Sequence, residues 1–419
     1  MRSRRDELWL LLGSLVSGLA ALTFILASSR SLGLNQFRQI IQIWTIWALS
    51  AGGLGFSVQQ HVIASAGAYR SVFHSLRSHG TLRVTVPLMS GVAVVTTIWR
   101  TEIFGSSSAI WPLFATLIPL GCAATSTTRG LWAARRKFRF VAFLSALENI
   151  LRAAAALVLW IFDAGPASFA LAILLGFGVA LLAPRSSLGV EKTTQPTTQM
   201  HGATIAGLLA YATLVMSPTI MAVKSVNILE TSSTFILLAL LRTPYQLSLS
   251  LVPKFAADRK LGNNRTRGDN RISRSVLQSV RRKWALLFYV VSGIVAVTLG
   301  TPVAVQILFG NIVAVSVIQS LLATTTTAIA VVNILLVVAA AAARLDRQLI
   351  TIWISATGLG VAYIAMAPAV SLTSMLCTVL TVELGVATGL FFILHRHSVP
   401  LYVGVSCPTP DPGKWTIAD

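Results

Sequence analysis

Long apolar runs alternate with short polar ones along the chain. Stretches at 8–28, 38–66, 84–99, 109–128, 140–161, 168–184, 201–223, 233–252, 284–300, 312–341, 349–368 and 373–394 are predominantly apolar. Crossing the hydrocarbon of a bilayer as a helix takes about 20 residues. In lipid every backbone polar group must be satisfied internally, which leaves helices or closed barrels. Barrel strands alternate apolar and polar residues, and these runs do not. The pattern predicts an all-α integral membrane protein of about twelve transmembrane helices. Runs 38–66 and 312–341 are over-long and imply tilt, a kink or extension into the interface.

The polar stretch Arg185–His201, centred on Glu191-Lys-Thr-Thr-Gln-Pro-Thr-Thr-Gln199, reads as a linker. It divides the chain into an N-terminal six-helix lobe (1–184), a cytoplasmic linker (185–200) and a C-terminal six-helix lobe (201–394). The tail 395–419, with Pro408, Pro410 and Pro412, reads as disordered. The opening Leu8–Ala27 run exceeds the apolar core of a secretory signal, and no small-residue cleavage site follows, so a retained first helix is expected.

Composition sharpens the picture. Of 419 residues, 55% are hydrophobic and 11% charged, and the mean hydropathy is +0.75. Soluble domains carry about 25% charged residues, so too few polar groups exist here to cover a water-facing surface. The formal charge of +20 would suit nucleic acid, but its placement argues for topology instead. Of 33 Lys and Arg, 27 fall on one side: the amino terminus, 67–83, 129–139, 185–200, 253–283, 342–348 and the tail. The other side holds four, Arg30, Arg38, Arg100 and Lys224, while Arg152 and Arg242 lie inside spans. Positive-inside bias places both termini in the cytoplasm of a cell inner membrane, with anionic lipids as partners of the cytoplasmic loops. Loop 253–283 is the most basic; its Ile272, Val276, Val280 and Trp284 suit either a helix on the inner leaflet or an unstructured loop.

The motifs of several enzyme classes are missing. The chain has no G-x-x-x-x-G-K-[ST], H-E-x-x-H or C-x-x-C run, and Cys122, Cys377 and Cys407 are too scattered for a metal site. Cys122 and Cys377 lie in apolar spans, where packing is expected. The outer loops are short and hold Glu102, Asp163 and Glu230 as their acids, so no catalytic domain, cofactor or metal is expected.

Ionisable residues inside the spans are the candidate site, because each costs about 2.5–3.5 kcal/mol at mid-bilayer on insertion scales. Glu148 and Arg152, at i and i+4, share a helix face and read either as a self-neutralising pair or as a cavity lining. Arg242 has no acid within a turn, while Tyr245, Gln246 and Ser250 extend a polar stripe beside a Pro244 bend. It lines a cavity or anchors to a neighbouring helix. Glu383, central in the last span, is a counter-charge for either arginine. Gln59, Gln60 and His61 read as an interfacial helix end, and Gln319 and Asn333 as interhelical hydrogen bonds.

Three stretches resemble the polysaccharide (O-antigen-type) flippases of the multidrug/oligosaccharidyl-lipid/polysaccharide exporter superfamily. Ser31-Leu-Gly-Leu-Asn-Gln-Phe37 is similar to that family's leucine–glycine turn between its first two helices. Thr128-Arg-Gly-Leu-Trp-Ala-Ala-Arg-Arg-Lys-Phe138, leading to Glu148 and Arg152, is similar to its basic loop before helix five. Leu241-Arg-Thr-Pro-Tyr245, running to Pro253, is similar to the Arg-x-Pro region of helix eight. The resemblance implies transbilayer movement of a polyprenyl-(pyro)phosphate-linked oligosaccharide for polysaccharide biosynthesis. The chain would act as a monomer beside glycan-assembly proteins, Arg152, Arg242 and Gln246 would bind the anionic head, and Glu148 and Glu383 would orient them or respond to protons. Alternatives are a drug/cation antiporter of the same superfamily and a membrane-embedded glycan polymerase or transferase.

The charge bias makes a direct forecast. A cysteine placed at Asn264, in a background lacking the native cysteines, should resist an impermeant thiol reagent in intact cells and react after permeabilisation. Labelling in intact cells would invert the topology.

Overall fold

A computed structural model describes residues 2–64, 79–184, 209, 212–224, 226–241, 284–310, 315–342 and 345–398. The linker 185–200, loop 253–283, Arg242, Gln246 and the tail beyond 398 lie outside the described residues. Among the described residues all regular structure is helical.

The first helical run, Arg2–Leu49, breaks at Gly33, whose φ of 62° and ψ of 172° separate α1 (residues 2–32) from α2 (residues 34–64). Those dihedrals are open in practice to glycine alone. A Cβ would meet nothing within 4 Å, so the dihedral and not crowding demands glycine. The leucine–glycine turn expected from sequence is therefore present. The over-long second run finds relief in a π-helical turn, Ser50–Leu54, ahead of the final Gly55–Ala64 segment. Beyond it come α3 (His79–Ile98), α4 (Ile110–Ala134) and α5 (Phe138–Ile161). Next is α6 (Pro166–Leu175), which opens on a first-turn proline and tightens into a 3-10 segment, Gly176–Leu182. The second half supplies α7 (Ser217–Val223), α8 (Ile228–Leu241), α9 (Trp284–Phe309), α10 (Val317–Ala342), α11 (Asp346–Met366) and α12 (Leu372–Ser398).

Among the described residues seven helices are long and apolar enough to cross a membrane, the first being the Arg5–Ile63 run that spans the Gly33 break. Pro166–Leu182, Ile228–Leu241 and Val297–Phe309 are apolar but shorter. Two boundaries differ from those expected. The run expected at 312–341 becomes helical at Val317. Arg129, assigned by sequence to a loop, lies inside α4, because the helix continues through Leu131-Trp-Ala-Ala134 and the residue's charge is met by another helix.

α2 is apolar on nearly every side and sits at the centre, with Ile40, Ile41, Ile43, Trp44 and Trp47 all buried. Trp44 stacks on Phe24 of α1 at 4.8 Å, and Phe24 meets Phe169 of α6 edge-on at 6.4 Å. The largest buried cluster continues from this aromatic centre into Phe235 of α8 and Val305 and Phe309 of α9. A second cluster, around Trp353, Leu349 and Val386, joins α11 and α12. Outward faces are also apolar, with Leu181 86% exposed and Ile161 78% exposed, as a lipid-facing surface requires. Cys122 is buried as expected, but Cys377 is exposed and does not pack.

Helix ends sort into two groups. Leu10, Ile63, Ala133 and Phe138 cluster at one end, bringing together the start of α1, the ends of α2 and α4 and the start of α5. At the opposite end the four basic residues excluded from the lysine- and arginine-rich side are found, and three of them bond backbone carbonyls. Arg30 donates to Leu308 O at 2.9 Å, Lys224 to Ala365 O at 2.9 Å, and Arg38 to Glu102 O and to Ile103 O. Their charges cap helix ends there.

Replacing Gly33 with alanine should destabilise the protein by about 1–3 kcal/mol, the usual cost of forcing a side chain into such dihedrals. A lowered thermal midpoint of the purified protein in detergent measures it; an unchanged midpoint would mean that the break relaxes freely.

Candidate functional site

Among the described residues, two centres built around buried acids occupy the interior, one in each half of the chain. In the first, α5 presents Glu148 and Arg152 on its buried face, 2% and 0% exposed. Arg152 Nη2 donates to Glu148 Oε1 at 2.6 Å, which is the i, i+4 pair that the spacing predicts. The other carboxylate oxygen, Oε2, receives Arg129 Nη2 from α4, a partner that sequence reasoning assigned to a loop.

The remaining donors of Arg152 are also satisfied. Nε donates to Ile173 O of α6 at 2.9 Å and Nη1 to Asn149 Oδ1 at 3.0 Å. Its guanidinium lies over two rings, 4.5 Å from the centroid of Trp47 of α2 and 5.2 Å from that of Phe177. Gly176 makes room for it: a Cβ there would stand 2.4 Å from Arg152 Nε. Asn149 Nδ2 donates to Ser17 Oγ at 2.6 Å, tying α1 to the same centre. Glu148 and Arg152 are thus brought together inside the N-terminal half, bounded by α1, α2, α4, α5 and α6.

The second centre holds Glu383, on α12 and 1% exposed. Sequence offered it as a counter-charge for Arg152 or Arg242. Arg152 does not serve, since its guanidinium is committed to Glu148, and Arg242 and Gln246 lie outside the described residues. Neutral groups hold the carboxylate instead. Asn333 Nδ2 of α10 donates to Oε2 at 2.6 Å and to the Glu383 backbone carbonyl at 2.9 Å, and Thr213 Oγ1 donates to Oε1 at 3.0 Å. Asn333 Oδ1 is buried and has no hydrogen-bond partner among the described residues. Asn333 and Gln319 both make the interhelical bonds expected of them, Gln319 Nε2 reaching Thr373 Oγ1 at 3.3 Å. Gln59, expected at an interface, is instead buried.

Between the halves runs a contact that sequence reasoning missed. Thr219 Oγ1 of α7 donates to Gln42 Oε1 of α2 at 2.7 Å, Gln42 Nε2 reaches Pro218 O at 3.4 Å, and Phe37 meets Phe235 edge-on at 6.1 Å. Beside it lies a small cleft lined by Thr45, Leu214, Pro218, Phe235 and Leu238. An amide at mid-run in an apolar span was the available signal for Gln42.

No protein-family model and no curated protein sequence matches the chain. Solved structures do. A multidrug resistance MATE family transporter of the MOP superfamily, in an outward-facing conformation, superposes with a TM-score of 0.56 at 13% identity, covering 94% of this chain and 95% of the other. The chain has the fold of the MATE transporters. A Vibrio cholerae MATE transporter gives a TM-score of 0.53 at 14% identity, covering 94% of this chain and 96% of its own. A MOP superfamily transporter from Pyrococcus furiosus, described by the reverse polarity of its binding pocket, gives 0.54 at 13%, covering 94% and 92%. The MATE fold thus accounts for nearly the whole length, and both buried centres lie within its helices.

Removing one member of the Glu148–Arg152 pair should be costly. Glu148→Gln leaves two guanidinium groups facing a neutral amide and should lose about 3–5 kcal/mol of stability, the usual range for a broken buried pair. The double variant Glu148→Leu with Arg152→Met should recover part of that loss. Detergent melting midpoints test this, and single variants as stable as the parent would show that water or another anion reaches the site.

Proposed function

We propose that the protein is a secondary transporter of the cytoplasmic membrane, exporting an organic solute by exchange against a cation. The observation that carries this reading is Glu383: an acid 1% exposed, held by an amide and a hydroxyl, with no guanidinium among its partners in the described residues. A carboxylate in a low-dielectric interior takes up a proton or an ion unless a fixed cation neutralises it. Its position joins α10 and α12 to Thr213, in the helical stretch just ahead of α7, so a change in its charge acts on all three at once. The near-full-length likeness to multidrug MATE transporters supports export of amphiphilic solutes. The N-terminal centre is compatible with it, since Arg152 is fully buried and its guanidinium is committed to Glu148, Ile173 and Asn149.

A second reading, movement of a lipid-linked oligosaccharide between leaflets, has its own support. The Leu241-Arg-Thr-Pro-Tyr245 resemblance offers Arg242 and Gln246 for an anionic head, and the Pyrococcus neighbour is described by a pocket of reversed polarity. On that reading guanidinium groups would hold phosphate oxygens bidentately.

Cells lacking other exporters separate the two. Expression of the chain should speed efflux of a fluorescent organic cation, dependent on a proton or sodium gradient. Glu383→Gln, present at equal level in the membrane, should reduce efflux to that of cells without the chain. Undiminished efflux by the Glu383→Gln variant would remove the coupling role. No efflux of any dye, with a lipid-linked sugar accumulating in the inner leaflet of a deletion strain, would replace the first reading with the second.

A further inference from the structure

At the corner where α1 begins and α4 turns into α5, basic and aromatic side chains alternate. α4 closes with Arg136 N–H donating to Ala133 O at 2.8 Å and Lys137 N–H to Trp132 O at 3.0 Å. This is a Schellman closure, and Arg136 occupies its left-handed position with φ of 58°. Glycine is the residue that suits such a position, so an arginine there is a local cost, and such costs gather at working surfaces.

Around this turn the Arg135 guanidinium lies 5.7 Å from the Trp132 ring centroid, and that of Arg139 lies 5.3 Å from the ring centroid of Trp9 on α1. Trp132 stacks on Phe140 at 4.6 Å and donates its indole N–H to Leu182 O at 3.1 Å. Lys137, Arg139 and Phe140 are exposed. The acids next to Trp9 along α1 are Asp6 and Glu7, two against the four basic residues Arg135, Arg136, Lys137 and Arg139.

Toward the middle of the helices the surface turns apolar. By helical spacing Leu12 and Val16 follow Trp9 on α1, and Phe143 follows Arg139 on α5; all three are exposed. The two helices cross so tightly that a Cβ on Gly13 would stand 2.7 Å from Ala142 O, which leaves a shallow seam flanked by these side chains.

We propose that this corner binds the phosphate headgroup of an anionic phospholipid of the inner leaflet, with one acyl chain along the α1–α5 seam. An indole at the polar boundary suits the headgroup level, and a guanidinium held over an indole suits a phosphate. A free phosphate would have no use for the exposed apolar seam below, and an acidic protein segment would not reach it. The inner leaflet follows from the lysine and arginine bias, and the site does not depend on which solute the protein carries.

The test uses the purified full chain in neutral detergent, with phosphatidylglycerol brominated on its acyl chains as quencher and brominated phosphatidylcholine as control. Phosphatidylglycerol should quench tryptophan emission at lower concentration than the control, and the excess should vanish in a Trp9→Phe, Trp132→Phe variant. Lys137→Gln with Arg139→Gln, both at exposed positions, should weaken phosphatidylglycerol binding about 25-fold, at about fivefold for each charge. Equal quenching by the two lipids, or unchanged affinity in the charge variant, would overturn the site. Loss of quenching on adding millimolar inorganic phosphate at constant ionic strength would identify a general anion site and overturn the lipid assignment too.

Discussion

A guanidinium enclosed in an apolar bundle must have both its charge and its N–H groups answered, and most of the N-terminal half is arranged around that requirement at Arg152. Glu148 answers the charge from one helical turn away. Ile173 and Asn149 answer the N–H groups, and the Trp47 and Phe177 rings pack against the guanidinium. Each answer comes with a helix attached, so α2, α5 and α6 are fixed relative to one another by a single side chain. Arg129 then draws in α4, and Asn149 draws in α1 through Ser17. Apolar surface alone gives weak direction in lipid, where the hydrophobic effect does not drive helices together; polar contacts and close packing do. Gly176, Gly130 and Gly13 supply the close packing, with a Cβ at each meeting Arg152, Val62 or Ala142 within 3 Å.

The C-terminal half is built differently. Its buried acid is met by hydroxyl and amide groups, and Asn333 retains a carbonyl oxygen without a partner among the described residues. Among the described residues, therefore, one acid is held by two guanidinium groups and the other by neutral donors alone. A carboxylate beside fixed cations keeps its charge, whereas one without them is freer to take up a proton or an ion. The proposed coupling role of Glu383 rests on that asymmetry.

Much of this was legible in the sequence, and the limits are instructive. Apolar run lengths gave the helical membrane class, and Gly33 with its flanking leucines marked the first turn. The spacing of Glu148 and Arg152 gave their pairing because both lie on one helix, where geometry is fixed locally. Arg129 was lost because a basic residue at the end of an apolar run looks like a loop until its distant acid is known. Glu383 was visible as a costly buried acid, but its partners Asn333 and Thr213 lie 50 and 170 positions away. Gln42 and Thr219 were missed for the same reason, being 177 positions apart. Local periodicity encodes which face is buried; it does not encode which helix covers that face.

The π turn at Ser50–Leu54 divides the labour of α2. Before it, Phe37 and Gln42 meet the other half of the chain; after it, Val58 and Val62 settle against α4 beside Ala123 and Leu131. A wide turn holds one residue more than a regular turn, and so turns the second contact face away from the first. The extra backbone that this turn holds lies between the two contact faces and is confined to five residues.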